Sequence, residues 1–287
     1  MAAKGVFEKT VGEFYDSAIH AYRKLMSDDG WHHGDEKAHE AGLSPREAAL
    51  DMQQQLVDAA RIMPGHLVLD FGSGVGGPPI NMAAMSGARF VGVCNNIPLT
   101  LQARKLAEER GMTDQVFFHA IGDTEYMTLG AWPDASFDAI TYQESVVHLP
   151  DKQAFFHSAF RVLRPGGRLA AIDWVQRPWG EYQSAEQMTS VMAPANKAMC
   201  IPWHATIAEY RDMLLTAGFQ VEEAVDLFPS GPCWGSTPEE DRDKWHTYDG
   251  PRGELFQDAK AALDNARALG VFSVGKLVAQ KPNEARA

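Results

Sequence analysis

The chain has 287 residues, of which 45% are hydrophobic, and this length and composition allow a large domain with a sizeable buried core. Its formal net charge of −12 argues against a nucleic-acid partner, because a surface that binds this polymer needs clustered lysine and arginine. No apolar run approaches the roughly 20 residues that span a bilayer, and the first ten residues lack the apolar core of a signal peptide. We therefore expect a cytoplasmic protein that acts on small molecules, without stable membrane insertion, either as a monomer or as a homo-oligomer.

The three cysteines, Cys94, Cys200 and Cys233, lie far apart in the sequence and match no zinc-ligand spacing. Their odd number also argues against a disulfide framework. Free cysteine usually packs as a small hydrophobic side chain. We expect three ordinary thiols and no metal site built from protein side chains.

Short apolar runs alternate with helical patterns along the chain, which is typical of a mostly parallel sheet covered by helices. Strands are predicted at 66–71, 88–94, 115–121, 137–143, 168–174, about 219–227 and 271–281. Helices are predicted at about 78–86, from Leu99 to Gly111, from Phe155 to Pro165, at about 206–217 and up to Ala268. This order predicts a Rossmann-like α/β fold with seven strands.

Two stretches interrupt the alternation of strands and helices, at 175–205 and at 229–268. Loops of this length inside a compact domain are usually lids or binding segments. We therefore expect a helical cap made of residues 1–44 and of these two insertions. The cap would cover the carboxyl edge of the sheet, and residues 45–287 would form the core.

The stretch VLDFGSGVGG, residues 68–77, has a strand that ends in an acid and then turns on several glycines. Glycine lets the backbone turn sharply and approach a ligand without an intervening side chain. Dinucleotide-binding proteins have similar turns, but they need an acid after the second strand to bind ribose. Here the second strand ends Cys94-Asn95-Asn96, which disfavours a dinucleotide.

The chain resembles the class I methyltransferases in this turn, in Asp123 after the third strand and in VLRPGGRL, residues 162–169. The resemblance covers about residues 45–175 and implies S-adenosylmethionine as the cofactor. It implies cofactor contacts from Asp70, Gly72, Ser73, Gly74, Asn95, Asn96, Asp123 and Gln143, with Asp123 on the adenine amino group and an asparagine on the ribose. Alternatively, the asparagine pair is a turn into the helix opened by Pro98, and Asp123 is an ordinary loop acid.

A narrower resemblance links the chain to the sterol C-methyltransferases and to their bacterial relatives that methylate prenyl diphosphates. It rests on GVGGP with the asparagine pair, on FYDSAIHAYRKLMSDDGWHHG, on YQESVVHLPD and on the last strand. The sterol enzymes carry a Glu and a His where this chain has Glu144 and His148. The region around DDGWHHGDE departs from the sterol pattern, so the resemblance implies a small prenyl diphosphate as substrate.

This chemistry explains which residues the site would need. An alkene is a weak nucleophile that must be held in line with the methyl group, and methyl transfer leaves a carbocation. Aromatic faces and a carboxylate stabilise such a cation, and a base removes its proton. We predict Glu144 as that base and His148 as a proton relay, a substrate ligand or a structural residue. Candidates for the aromatic wall are Tyr15, Tyr22, Trp31, Tyr142, Trp174, Trp179 and Trp203.

If the substrate carries a diphosphate, His32 and His33 would bind it together with Tyr22, Arg23 or Lys24, with Mg²⁺ between protein and phosphate oxygens. Otherwise the two histidines are surface residues. Three other functions stay open: a sterol-like or other terpenoid C-methyltransferase, a small-molecule O- or N-methyltransferase of secondary metabolism, and a cofactor-binding scaffold without turnover. Glu144 and the aromatic cap favour the isoprenoid C-methyltransferase.

Overall fold

The computed structural model describes residues 16, 18–26, 29–30, 32–178, 184–234 and 243–283. Its centre is a seven-stranded sheet with the order β3-β2-β1-β4-β5-β7-β6, in which β7 runs antiparallel to both of its neighbours and the other pairs are parallel. The predicted α/β class with a mostly parallel seven-stranded sheet is confirmed. The strands are β1 (Leu67–Phe71), β2 (Arg89–Cys94), β3 (Val116–Ala120), β4 (Phe137–Gln143), β5 (Leu163–Gln176), β6 (Gln220–Asp226) and β7 (Phe272–Gln280).

Ten helices of the described chain flank this sheet, and several begin at a side chain that caps the first turn. Ser44 and Thr206 each form a capping box with the glutamate three residues later, which satisfies backbone N–H groups that a helix start leaves unpaired. The helices are α1 (18–25), α2 (Glu36–Glu40), α3 (Pro45–Ala59), α4 (Gly77–Ser86), α5 (Ile97–Glu109), α6 (Asp123–Thr128), α7 (Lys152–Val162), α8 (Ala185–Ala198), α9 (Ile207–Ala217) and α10 (Gly253–Ala268).

Alternating residues of the strands send apolar side chains to the two faces of the sheet. On one face Phe90 and Phe118 pack in a cluster that includes Leu56 of α3. On the other face Phe71 and Phe155 belong to a second cluster, against α7 and α9. Burying each such side chain contributes about 1.5–3 kcal/mol, so the two clusters fix the helices against the sheet.

The structure adds helices α3 and α6, which the sequence prediction did not list, and gives further detail at two predicted elements. The stretch 175–205 contains α8, which begins at a capping box between Ser184 and Gln187. Pro194 lies inside this helix, and proline in an apolar pattern normally indicates a break. Strand β5 begins earlier than predicted, because Leu163 already pairs with Phe137 of β4.

The order of the strands decides where a ligand can bind. Strand β1 lies in the middle of the sheet, with β2 on one side and β4 on the other. In open sheets of this kind ligands bind beyond the carboxyl ends of the strands where the order reverses. Helices α8 and α10 pack against each other, but the division into a cap and a core stays a prediction. No helix in the described part of the chain is both long and apolar enough to span a bilayer.

Candidate active site

The turn after β1 has a backbone shape that glycine adopts most easily. Gly72 and Gly74 have φ values of 79° and 49°, in the left-handed region. The N–H groups of Gly72 and Ser73 donate to the Val93 carbonyl at 2.9 and 3.0 Å, which ties the turn to β2. A Cβ on Gly72 would lie 2.3 Å from the Cβ of Ser145, so a larger residue is excluded there. A Cβ on Gly74 would have no described neighbour closer than 4.0 Å, so the space beside it is open to a ligand.

Asp70 lies under this turn, near the end of β1. Its carboxylate accepts a hydrogen bond from the Thr141 hydroxyl of β4 at 2.8 Å. Burial raises the pKa of Asp70 to about 7, and the hydrogen bond from Thr141 opposes the shift. Asp70 therefore joins β1 to β4, and its contact with the cofactor stays a prediction.

Gln143 ends β4, next to the strand that carries the glycine turn. Both polar atoms of its side-chain amide are buried and have no hydrogen-bond partner in the described parts of the chain. Each buried polar group left in this state costs about 1–3 kcal/mol, so a bound ligand with a donor and an acceptor would be stabilised here. The open space beside Gly74 and the unsatisfied amide of Gln143 both fit the polar parts of S-adenosylmethionine.

The asparagine pair after β2 divides into two roles. Asn96 caps α5, because its Oδ1 atom accepts a hydrogen bond from the Leu99 N–H at 2.9 Å, and its Nδ2 atom donates to Asp16 at 3.0 Å. Asn96 therefore fits the alternative prediction, in which the asparagine forms the turn that opens α5. Asn95 is half-buried and caps no helix, and ribose binding by either residue stays a prediction. Asp123 begins α6, but its side chain lies outside the description.

A mostly apolar pocket of about 110 Å³, here called the aromatic pocket for its five aromatic side chains, lies beyond the carboxyl end of β4. It is lined from β5, from α1, from the end of α8, from the segments around residues 234 and 245, and from α10. Its large apolar residues are Tyr22, Met26, Trp174, Met199, Trp234, Trp245, Phe256 and Leu263. The structure thus places two of the predicted aromatic residues, Tyr22 and Trp174, in one pocket.

Helix α10 contributes a polar stretch to this pocket. Lys260, Asp264 and Arg267 recur at helical spacing and line it together. The Asp264 carboxylate accepts hydrogen bonds from Arg267 at 2.8 Å and from Lys260, and it lies 3.0 Å from the Nε2 atom of His246. These contacts hold the pKa of Asp264 below its usual range although burial acts against them. The pocket therefore combines apolar walls with a charged end.

Glu144 lines the same pocket, directly after β4. Its φ of 53° lies in the left-handed region, which costs a non-glycine residue of order 1–3 kcal/mol, and its N–H donates to the Ile172 carbonyl at 2.9 Å. Burial raises the pKa of Glu144 to about 8. The Asp173 carboxylate adds to this rise in the pKa of Glu144, and the neighbouring Trp174 indole opposes it. The indole N–H of Trp174 makes no hydrogen bond of ordinary geometry within the described residues.

A second cavity, of about 320 Å³, adjoins the aromatic pocket. Met26, His33 and Trp245 line both spaces and form their boundary. The second cavity is more polar, and Arg46 and Lys244 lie on its wall.

Of the predicted histidine pair, His33 lies at this boundary and His32 lines the second cavity alone. Burial lowers the pKa of His32 to about 4, against the effect of a hydrogen bond with the backbone of Gln143, so its imidazole is neutral at pH 7. His33 stacks on Trp234. Of the cations that the sequence places near this pair, Arg23 bonds to Gln102 and Lys24 to Asp249 at the surface, and neither lines the two cavities.

Other predicted site residues lie elsewhere. Tyr142 packs against Phe155 within the core, and Trp203 packs over the ammonium group of Lys152 at 4.2 Å. His148 lies on the 3₁₀ turn Val146–His148, and burial lowers its pKa to about 4. Tyr15, Trp31 and Trp179 fall outside the described residues. Within the described ranges, no three His, Cys, Asp or Glu side chains are grouped so that they could hold a metal ion.

A family profile described as a methyltransferase domain matches residues 69–171, which run from β1 to β5 and carry the glycine turn and Glu144. Residues 69–171 therefore form a methyltransferase domain. The chain superposes on the cyclase SpnF with a TM-score of 0.79 at 21% identity, over 96% of this chain and 97% of that one. Because a cyclase shares this fold, the fold alone does not decide the reaction. The chain also superposes on the geranyl diphosphate C-methyltransferase of Streptomyces coelicolor with a TM-score of 0.71 at 16% identity, over 96% and 97% of the two chains.

The sequence relatives of this chain include enzymes with different named reactions. Methyltransferase GfsG of Streptomyces halstedii is 35% identical over 60% of this chain and 60% of its own. Sterol 24-C-methyltransferase of Pneumocystis carinii is 32% identical over 58% of this chain and 43% of its own. The 27-O-demethylrifamycin SV methyltransferase of Amycolatopsis mediterranei is 29% identical over 88% and 86%. The first two matches span only about half the length of these relatives. The predicted likeness to the sterol C-methyltransferases is confirmed at the level of sequence similarity, and the likeness to the prenyl diphosphate enzymes is one of fold.

The sequence prediction missed several residues that line the aromatic pocket. Trp234, Trp245 and Phe256 come from a stretch whose only readable signal was the helical spacing of Phe256, Leu263 and Arg267. That spacing predicts a helix but not the surface against which the helix packs.

Proposed function

We propose that this methyltransferase adds a methyl group to an alkene carbon of an isoprenoid, with a prenyl diphosphate of the isopentenyl or geranyl type as substrate. The observation that carries the proposal is the position of Glu144. This carboxyl group faces an aromatic pocket directly beyond β4, beside the strand that carries the glycine turn. Transfer of a methyl group to oxygen needs a base beside the hydroxyl group, and transfer to nitrogen needs little more than desolvation of the amine. Neither reaction calls for indole rings around the carboxylate.

When bound, S-adenosylmethionine supplies a methyl group on a positively charged sulfur. The walls formed by Tyr22 and Trp174 hold the flat face of the alkene in line with that group and keep water out, which lowers the barrier by several kcal/mol. The alkene π electrons form the new carbon–carbon bond as the sulfur–methyl bond breaks, and a cation remains on the neighbouring substrate carbon. The indole faces of Trp174 and Trp234 stabilise this cation.

Glu144 completes the reaction. One Oε atom of its carboxylate takes a proton from a carbon next to the cation, and the electrons of that C–H bond restore a double bond. The neutral carboxylic acid then returns its proton to solvent. The elevated pKa of Glu144 suits this step, because a base with a pKa near the working pH accepts a proton more readily than an ordinary carboxylate.

The second cavity suits the diphosphate end of the substrate. It adjoins the aromatic pocket at His33 and carries Lys244 and Arg46, the latter paired with the Asp29 carboxylate on the same wall. A chain of a few carbons would join the alkene in one space to the phosphates in the other. Mg²⁺ would enter bound to the phosphate oxygens, as part of the substrate. The geranyl diphosphate C-methyltransferase of Streptomyces coelicolor, which shares this fold, has a solved complex with Mg²⁺ and geranyl diphosphate.

A second candidate function is O-methylation of a larger metabolite. It is favoured by the relative from Amycolatopsis mediterranei, whose match covers most of both chains. In that reaction Glu144 would deprotonate a substrate hydroxyl group before transfer. The two candidates differ in their products, because O-methylation forms an ether and C-methylation forms a carbon–carbon bond. A sterol-like or other terpenoid substrate would share the chemistry of the first candidate but not its use of the polar cavity.

Mass spectrometry of products tests the proposal. The protein is incubated with S-adenosylmethionine and a panel of prenyl diphosphates, sterols and small hydroxy or amino compounds. We expect a homologated prenyl diphosphate that keeps its double bond. Methylation of a hydroxy compound alone would replace the proposal by the second candidate.

A further inference from the structure

A buried lysine lies behind the turn that carries Glu144. The ammonium group of Lys152 donates to the carbonyl groups of Val147 and Leu149, both at 2.9 Å, and to that of Trp203 at 3.0 Å. Lys152 is completely buried. Burying an ammonium group is costly unless it is paired and hydrogen-bonded, so these three contacts indicate a role that a surface lysine would not have.

The counter-charge of this lysine is Asp173, which is also completely buried on β5. Its carboxylate accepts hydrogen bonds from the Tyr210 hydroxyl and from the backbone N–H of Trp174, both at 2.9 Å. Burial raises the pKa of this carboxyl group to about 7, and these hydrogen bonds, the Lys152 charge and the backbone of Val147 oppose the shift. The carbonyl group of Val147 is held by Lys152.

This arrangement acts on the loop that leaves β4. The 3₁₀ turn Val146–His148 follows Glu144 after one residue, and Glu144 keeps its left-handed backbone only while the neighbouring chain is fixed. The Ser145 hydroxyl donates to the Phe71 carbonyl at 2.8 Å and fixes the other side of the loop to β1. No step of the proposed reaction uses Lys152, Asp173 or Tyr210.

We propose that Lys152 and Asp173 are positioning residues for Glu144: Lys152 holds the turn behind it, and the Asp173 charge acts on it from the neighbouring strand, one residue beyond the Ile172 carbonyl that binds the Glu144 N–H. This inference rests on the proposed function only in giving Glu144 a catalytic role. Ile172 and Trp174 belong to the apolar cluster on the pocket side of β5, whereas Asp173 points to the opposite side with Tyr210. Its charge reaches Glu144 through the sheet, without occupying substrate space.

Several other charged or titratable groups face Glu144. Tyr22 of α1 and His33 line the same pocket, as does the charged stretch Lys260, Asp264 and Arg267 of α10. The three groups of α10 are joined in one ion-pair network with more positive than negative charge. Asp173 adds a negative charge on the sheet side, where it raises the pKa of Glu144.

The test is a ¹³C NMR titration of protein labelled at the glutamate side-chain carboxyl carbons, with the Glu144 signal assigned by its loss in Glu144→Gln. In Asp173→Asn we expect the titration midpoint of Glu144 to fall by about 0.5 pH units or more, because a like charge has been removed while the side-chain amide oxygen still accepts the hydrogen bond of the Tyr210 hydroxyl. Asp138→Asn is the matched control, since Asp138 lies on β4 at the end away from Glu144 and pairs with Arg164. An unchanged midpoint in Asp173→Asn would overturn the electrostatic half of the proposal.

A milder variant covers the case in which Asp173→Asn does not fold. Tyr210→Phe removes one hydrogen bond from the Asp173 carboxylate, which weakens its ionised form and should move the Glu144 midpoint in the same direction by a smaller amount. No movement in this variant, with the native fold retained, would also overturn the electrostatic half.

Lys152→Met tests the positioning half. We expect faster amide hydrogen exchange at Val147 and His148 and a lower kcat with an unchanged Kd for S-adenosylmethionine. Lys105→Met, at an exposed lysine paired with Glu109, should change none of these. Exchange at wild-type rates in Lys152→Met would contradict the proposal. The titration and the exchange need no substrate, so their results stand apart from any failure of the protein to methylate isoprenoids.

Discussion

The imidazole ring of His33 stacks on the indole ring of Trp234, with ring centroids 4.4 Å apart and an angle of 28° between the planes. This contact joins the segment before α2 to the chain that precedes α10. Both residues line the aromatic pocket, and His33 also lines the polar cavity beside it. The stack therefore separates the two spaces. A bound isoprenoid diphosphate would cross it, with the apolar chain on one side and the phosphates on the other.

Removing this wall should weaken substrate binding. In His33→Leu we expect a several-fold higher KM for the isoprenoid and an unchanged Kd for S-adenosylmethionine, because the cofactor residues around Gly74 are untouched. His20→Leu is the control, since His20 is exposed on α1. Steady-state kinetics and calorimetry measure the two quantities. An equal loss of affinity for cofactor and substrate would mean that His33 supports the fold of the whole site.

The open space beside Gly74 leads to a second prediction. Gly74→Val should abolish S-adenosylmethionine binding, because a branched side chain would occupy the space that the cofactor needs. Gly111→Val is a matched control: Gly111 also has a left-handed backbone and an open surrounding, but it lies after α5, away from the turn. Calorimetry should show wild-type affinity in the control. Retained binding in Gly74→Val would remove the basis of the cofactor assignment.

Much of this site follows from the sequence. The stretch from β1 to α4 is predictable because a buried strand, a glycine turn and two prolines in a first helical turn each admit few conformations. Glu144 is predictable because it follows β4, and the carboxyl ends of parallel strands meet at one edge of the sheet. In both places local residue patterns determine the position of the functional group.

The rest depends on contacts between residues distant in sequence. Nothing near Trp234 or Trp245 indicates that they face Glu144, because their packing depends on the path of the chain over the sheet. Lys152 shows the same limit, since it begins α7 and its counter-charge Asp173 lies on β5. Two interpretations of Asn96 were possible from the sequence, because an asparagine before Pro98 can either contact a ribose or cap a helix. The structure shows the helix cap.

The role of Glu144 is tested by Glu144→Gln, a change that keeps the size of the side chain but removes its basicity. We expect turnover to fall by ~10²-fold or more, the usual size of a general-base contribution, while cofactor affinity stays unchanged. His148→Ala should be milder if His148 only relays a proton or positions a group. Near wild-type turnover in Glu144→Gln together with an inactive His148→Ala would make a His-assisted O-methyltransferase the better interpretation.

The pH dependence gives an independent prediction. Because the pKa of Glu144 is raised to about 8, the carboxyl group is mostly protonated below that pH and cannot act as a base. The value of kcat/KM, which reports the free enzyme, should therefore rise with pH through about 8. The residual activity of Glu144→Gln should lack this rise. A wild-type profile that is already flat from pH 6 upwards would show that the ionisation of Glu144 does not control the reaction.

The most direct measurement of the central claim uses S-adenosylmethionine whose transferred methyl group is fully deuterated. The protein is incubated with this cofactor and with isopentenyl or geranyl diphosphate in the presence of Mg²⁺, and the dephosphorylated product is analysed by mass spectrometry and NMR. We expect one CD₃ group bonded to a carbon, the loss of one substrate hydrogen and a retained double bond. No labelled isoprenoid, together with a CD₃ group on the oxygen of another acceptor, would contradict the account.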